Sequence, residues 1–140
     1  MSHPIGALVD AYTTLGLGGG DIVQVGEMGA TPPSNQCTIL TPYGGPPPPD
    51  IPVWIDAVQV AIYHRSLQTA FARAQAAFDA LHTKAGWQLD SEWLAMGVFA
   101  TGRPFGLGSV DAQGGRLYHV VLNLQVHLKR HTPPAEPEEE

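Results

Sequence analysis

The chain has 140 residues and a formal net charge of −6, a length that fits one domain and can bury roughly two-thirds of its unfolded surface. Only 14% of residues are charged, well under the roughly one-quarter of ordinary globular chains, so the surface relies on uncharged polar groups, Gly and Pro and is better suited to a partner than to open water. Glu136, Glu138, Glu139 and Glu140 carry four of the negative charges and leave the body at −2. That balance argues against holding a phosphate backbone by mass action, and the single cysteine, Cys37, excludes an intrachain disulfide and fits a reducing compartment.

In chain order, Pro4 suits a first helical turn, and Ile5, Leu8, Tyr12 and Leu15 recur at helical spacing, predicting a helix over 4–15 that ends at Gly16 and the Gly18–Gly19–Gly20 run. A short strand is expected over 21–25, loop over 29–36 and a second strand over 37–40. Residues 43–52 hold too many prolines for regular structure, and 46–49 should form extended polyproline II. Residues 53–63 alternate as a strand, with Trp54, Val58, Val60 and Ile62 on one face and Gln59 and Tyr63 on the other. Ser66 caps a helix expected to run to about Lys84, with Leu67, Ala70, Phe71, Ala74, Ala77, Phe78 and Leu81 as its apolar stripe and Gly86 as its stop.

A third strand is expected over 93–101, followed by a loop over 102–115. Residues 116–130 then alternate without a break: Tyr118, Val120, Leu122, Leu124, Val126 and Leu128 against His119, Asn123, Gln125, His127 and Lys129. The last nine residues, 132–140, contain only Pro and Glu besides Thr132 and Ala135 and are expected to be disordered. Together these elements predict a single α+β domain over 1–131: a mostly antiparallel sheet with one long and one short helix packed on one face.

Catalytic and metal-binding patterns are hard to build from these residues. His119 and His127 share a strand face but lie roughly 26 Å apart when extended, too far for one ion, and no helix carries paired-His spacing. The glycines at 16–20 follow a helix and precede a strand, the reverse of a phosphate-binding loop, and no lysine follows them. Ser109 lacks the downstream glycine of a nucleophile elbow. Asp90 and Glu92 fit a solvated turn before Trp93, and Cys37 fits a buried strand position. The expectation is therefore no catalytic residues, no metal, no cofactor and no enzyme. No apolar run reaches the ~18 residues of a membrane span, and the start of the chain lacks the basic and apolar regions of a signal peptide. The protein is expected to be made in a cytoplasm.

Three ordered groups of residues resemble the minor capsid or tail terminator proteins of long-tailed bacteriophages. They are Thr38-Ile39-Leu40 leading to Tyr43-Gly44-Gly45-Pro46-Pro47; Val58-Gln59-Val60-Ala61-Ile62 and then Arg65 before the helix at Ser66; and Pro104-Phe105-Gly106-Leu107-Gly108, Asp111 to Arg116 and Val121-Leu122-Asn123-Leu124-Gln125-Val126. The resemblance covers roughly 5–130. It implies an α+β fold and a homo-oligomeric ring, usually a hexamer, at the head-proximal end of the virion tail. Such a ring caps the tail tube, stops its polymerisation and joins tail to head. The implied partners are further copies of the chain, the tail tube protein and a head-completion or connector protein, with phage DNA passing through unbound and no membrane involved. The pattern does not separate a terminator from another neck protein. A monomeric ligand- or peptide-binding α+β domain is the alternative from a different class.

On this reading Arg103, Asp111 and Arg116 are candidate cross-subunit contacts, and His119, Asn123 and Gln125 form a polar, nearly uncharged strand face suited to a subunit interface. Each has a plainer alternative. Asp111 and Arg116 could serve the local turn, and the polar face could be solvated. The segments 102–115 and 42–52 are the candidate docking loops.

Overall fold

The computed structural model describes residues 4–27, 31–44, 53–112 and 115–130. In chain order the elements are α1 (Pro4–Thr14), β1 (Ile22–Val25), β2 (Cys37–Pro42), β3 (Val53–His64), α2 (Leu67–Leu81), β4 (Ala85–Gln88), β5 (Trp93–Ala100), β6 (Phe105–Ala112) and β7 (Gly115–Arg130). The fold is α+β, with a seven-stranded sheet in the order β1-β2-β3-β7-β5-β4 and β6 paired beside β5 on the same edge of β7. Every pairing is antiparallel except β1 with β2. The proline run 46–49 and the 132–140 tail lie outside the described residues.

The sheet is organised by β7. Its 16 residues pair along one edge with β3, from Tyr118–His64 to Lys129–Val53. The other edge is shared. β5 takes Leu124 to Arg130, and β6 takes Gly115 to Val121. Residues 93–112 are thus one long hairpin arm, interrupted at 101–104. The Thr101 amide keeps the arm attached by donating to the Asn123 carbonyl at 3.0 Å.

Period two sends Val58, Val60 and Ile62 of β3 and Val120, Leu122, Leu124, Val126 and Leu128 of β7 to one face, all buried. Both helices cover that face and share one core with it. In α1, Ile5, Leu8, Val9 and Tyr12 are buried at helical spacing. In α2 the buried stripe is Ala70, Ala74, Ala77 and Leu81, and the three alanines let the helix lie close against the strands. Its N-terminus is capped as expected: the Thr69 amide donates to Ser66 Oγ at 3.2 Å, satisfying one of the otherwise unpaired first-turn amides.

The connector between α1 and β1 is tied to α2 by an ion pair between Arg73 and Asp21. Gly19 sits under that guanidinium with φ +62°, and a Cβ there would fall 2.7 Å from Arg73 Nε. The glycine therefore serves close approach as well as the left-handed backbone.

Three expectations change. The second helix ends at Leu81 rather than near Lys84, and Gly86 lies in β4, not at the helix end. Here sheet pairing outcompetes helix propagation. Thr83 turns to φ +66°, its amide donates to the Val98 carbonyl at 2.8 Å, and the Val98 amide donates back to Lys84 at 2.9 Å. Leu67 and Phe71, expected in the apolar stripe, are exposed. The expected loop 102–115 is mostly strand, because the N-terminal half of β7 offers a free edge that Phe105–Ala112 fills. The turn at 90–93 does match expectation: Asp90 Oδ1 accepts from the Glu92 amide at 2.8 Å and the Trp93 amide at 2.7 Å.

Candidate assembly surface

Opposite the helices, the second face of the sheet carries no helix among the described residues. Its side chains come from the odd-numbered positions of β2, β3 and β7. The registers set Cys37, Tyr63 and His119 in one row, Ile39, Ala61 and Val121 in the next, then Thr41, Gln59 and Asn123, with Ala57 beside Gln125 and Ile55 beside His127 further along. No Asp, Glu, Lys or Arg stands in these five rows.

The face has two parts. At the end near β6, Cys37, Ala61, Tyr63, Leu117 and Val121 form a small second core, flanked by Ile39, Val110 and Ala112. His119 belongs to this end. Its ring stacks on Tyr63 with centroids 4.2 Å apart and 16° between planes. Burial lowers the His119 pKa, and its Nε2 finds no hydrogen-bond partner among the described residues. Burial also raises the pKa of Tyr63 and of the Cys37 thiol, so all three groups favour their neutral forms.

The other part is polar without being charged. Gln59 Nε2 donates to Asn123 Oδ1 at 3.4 Å. Gln125 Oε1 and His127 Nε2 lie 3.4 Å apart. Phe99 pairs in register with Gln125 and meets the His127 ring edge-to-face at 5.5 Å. Phe99 and Phe105, which flank the interruption in the hairpin arm, are both exposed. Between β2, β3 and residues 24–27 and 31–33 lies a groove of about 430 Å³ whose lining includes Gln24, Glu27, Thr41, Gln59 and Tyr63.

The six residues singled out from the sequence thus fall in four places. Asn123 and Gln125 share the polar part of the open face with Gln59 and His127. His119 sits in the small apolar cluster. Asp111 and Arg116 are cross-strand partners next to the turn of the β6–β7 hairpin, with Arg116 Nε 4.0 Å from Asp111 Oδ1 and both side chains largely in solvent. Arg103 is exposed in the 101–104 interruption. Sequence reasoning misses Phe99 and Ile22 as surface features, since apolar side chains in strands are normally assigned to a core, and it sets Phe105 and Leu107 in a docking loop rather than in an edge strand; all four are exposed on the sheet.

Among the described residues no group of three or more His, Cys, Asp or Glu side chains is placed to hold a metal ion, and no helix is long and apolar enough to cross a membrane. No family model matches the sequence, and no curated protein matches it.

Proposed function

We propose that this chain is a structural protein of a long-tailed bacteriophage, which assembles into a closed ring at the head-proximal end of the tail, ends polymerisation of the tail tube and joins tail to head. It is not an enzyme on this reading and needs no cofactor. The observation that carries the proposal is the open sheet face. Phe99 and Phe105 are exposed on it beside amide side chains, and its five central rows hold no ionised group, with Glu27 and Lys129 only at the margins, a composition closer to the interior of an interface than to a solvated surface. The three ordered resemblances at 38–47, 58–66 and 104–126 give that interface its setting. A longer helix over the sheet centre and a shorter one over its β1 side belong to the same picture.

The partners are further copies of the chain, six in the implied ring, together with the tube protein below and a head-completion or connector protein above. A body charge near neutral suits a passage through which DNA slides without being held.

Native mass spectrometry across a concentration series, with negative-stain imaging of any oligomer, tests the reading. A discrete six-subunit ring with a central opening is expected. A chain that stays monomeric at every concentration, or that binds duplex DNA tightly and salt-sensitively, overturns it.

A further inference from the structure

The half of the sheet nearest the β6–β7 hairpin runs β1-β2-β3-β7-β6, and its two outer strands are unpaired on their far sides among the described residues. Single cross-strand rows span this half from edge to edge. Gln24, Ile39, Ala61, Val121 and Phe105 form one, and Val23, Thr38, Ile62, Val120 and Gly106 form the next. Following the pairings across, β1 and β2 run one way, β3 the other, β7 back again and β6 opposite to β7. The two open edges are therefore antiparallel to each other.

Both edges also lack the usual protection of an exposed strand, which is inward charge, lysine or proline. β1 has no ionised residue, and β6 has only Asp111 at its far end. Instead they expose large apolar side chains, with Ile22 at 68% and Leu107 at 55%. The irregularity in the β6–β7 pairing between Gly106 and Ser109 does not blunt the edge with charge. It adds local twist, which a curved, closing sheet requires.

We infer that β6 of one copy pairs antiparallel with β1 of the next, so that the sheet continues from subunit to subunit around the ring. This rests on the proposed ring and names the surfaces that close it. A head-to-tail join needs two different patches on each subunit, and these two edges lie on opposite sides of one sheet. A rotation axis roughly along the strands keeps every copy pointing the same way, so each β6 meets the neighbouring β1 in the antiparallel sense. Main-chain hydrogen bonds would supply the join, with Ile22 and Leu107 contributing apolar area.

The test is native mass spectrometry of the full chain carrying Ile22→Lys or Leu107→Lys, with Met96→Lys as control. Met96 is exposed but sits in β5, which is paired on both sides. Thermal melting confirms that each variant folds. Either edge variant alone should lose the ring at concentrations tenfold above those at which the unmodified chain assembles, and the control should keep it. An equimolar mixture of the two edge variants should stop at two copies, because it contains one intact β6 and one intact β1 that can meet only once. Rings from both edge variants would overturn the edge pairing and leave the ring itself standing. Loss of assembly by Leu107→Lys alone would overturn the β1 half and indicate β6 pairing with itself or with a different protein. A monomeric unmodified chain would remove the ring and this inference together.

Discussion

Residues 122 and 123 are neighbours on β7 and belong to different environments. Leu122 is fully buried beneath the helices. Asn123 points the other way, half-exposed and bonded to Gln59. The difference is repeated along the sheet. The helix-covered face is mainly aliphatic, with Trp54 and Trp93 meeting edge-to-face at one end, and is interrupted by the buried Thr38 and Asp56. The open face mixes amides, imidazoles and aromatic rings around one apolar cluster. Packing density determines stability on the first, whereas the second leaves Asn123, Gln125, His127 and Phe99 partly or wholly in solvent.

Truncation should separate the two faces most sharply. Leu122→Ala removes three buried carbons from the middle of the core and should cost about 3 kcal/mol, read as a lower urea midpoint with an unchanged slope. Asn123→Ala breaks one long, half-exposed hydrogen bond and should cost no more than about 1 kcal/mol. If it nonetheless abolishes assembly, the open face is a contact surface. Equal losses of stability at 122 and 123 would show that the two faces do not differ as described.

The layer that makes one face a core can be loosened without touching the sheet. Ser66→Ala leaves a first-turn amide of α2 without its side-chain acceptor and should cost about 1 kcal/mol. Urea unfolding checks it, and a change under about 0.3 kcal/mol would mean that water replaces the cap at this exposed end.

Much of this contrast is legible in the amino-acid sequence alone. The alternation over 116–130 separates Leu122 and Leu124 from Asn123 and Gln125, because a period of two is a direct readout of a sheet with one buried face. The Ser66 cap and the Ala70–Leu81 stripe are legible for the same kind of reason. The strand β6 is not. Phe-Gly-Leu-Gly-Ser has two glycines and no clean alternation, so local propensity reads as loop. It becomes strand only because β7 is longer than β5 and leaves a partner edge exposed, a tertiary fact. The same limit applies to the candidate site. Asn123 and Gln125 can be placed on a face by alternation, but Gln59, Thr41 and Phe99 join them only through strand register. The open edges at β1 and β6 depend on strand order, which no local pattern contains.

The apolar end of the open face should show itself through pH. His119 has its pKa lowered by burial, so the unfolded chain, with an ordinary value near 6.5, binds this proton more readily than the folded one. Stability contributed by the neutral ring is present above pH 6.5 and is lost as pH falls below it toward the folded-state pKa. Tyr63 stacks on the ring, Cys37 lies beyond Tyr63 in the same row, and both stay neutral throughout this window, since both have raised pKa values. His119→Phe keeps an aromatic ring against Tyr63 and cannot titrate. Its melting temperature should vary less between pH 7.5 and 5 than that of the unmodified chain. An identical pH profile would mean that His119 is as hydrated as in the unfolded state.

The smallest effect is expected at the hairpin tip. Asp111 and Arg116 face each other across the β6–β7 ladder, but at 4.0 Å and with side chains 98% and 69% exposed water screens them. Asp111→Ala and Arg116→Ala should each leave the unfolding midpoint unchanged within error. This makes the pair informative about assembly. A group that contributes nothing measurable to the isolated fold can change ring formation only by touching another chain. Loss of the oligomer in either variant, with the midpoint unmoved, would place the tip in a subunit contact. Unchanged assembly in both would confine the pair to its own turn, leaving the uncharged part of the open face and the two strand edges as the surfaces available for joining copies.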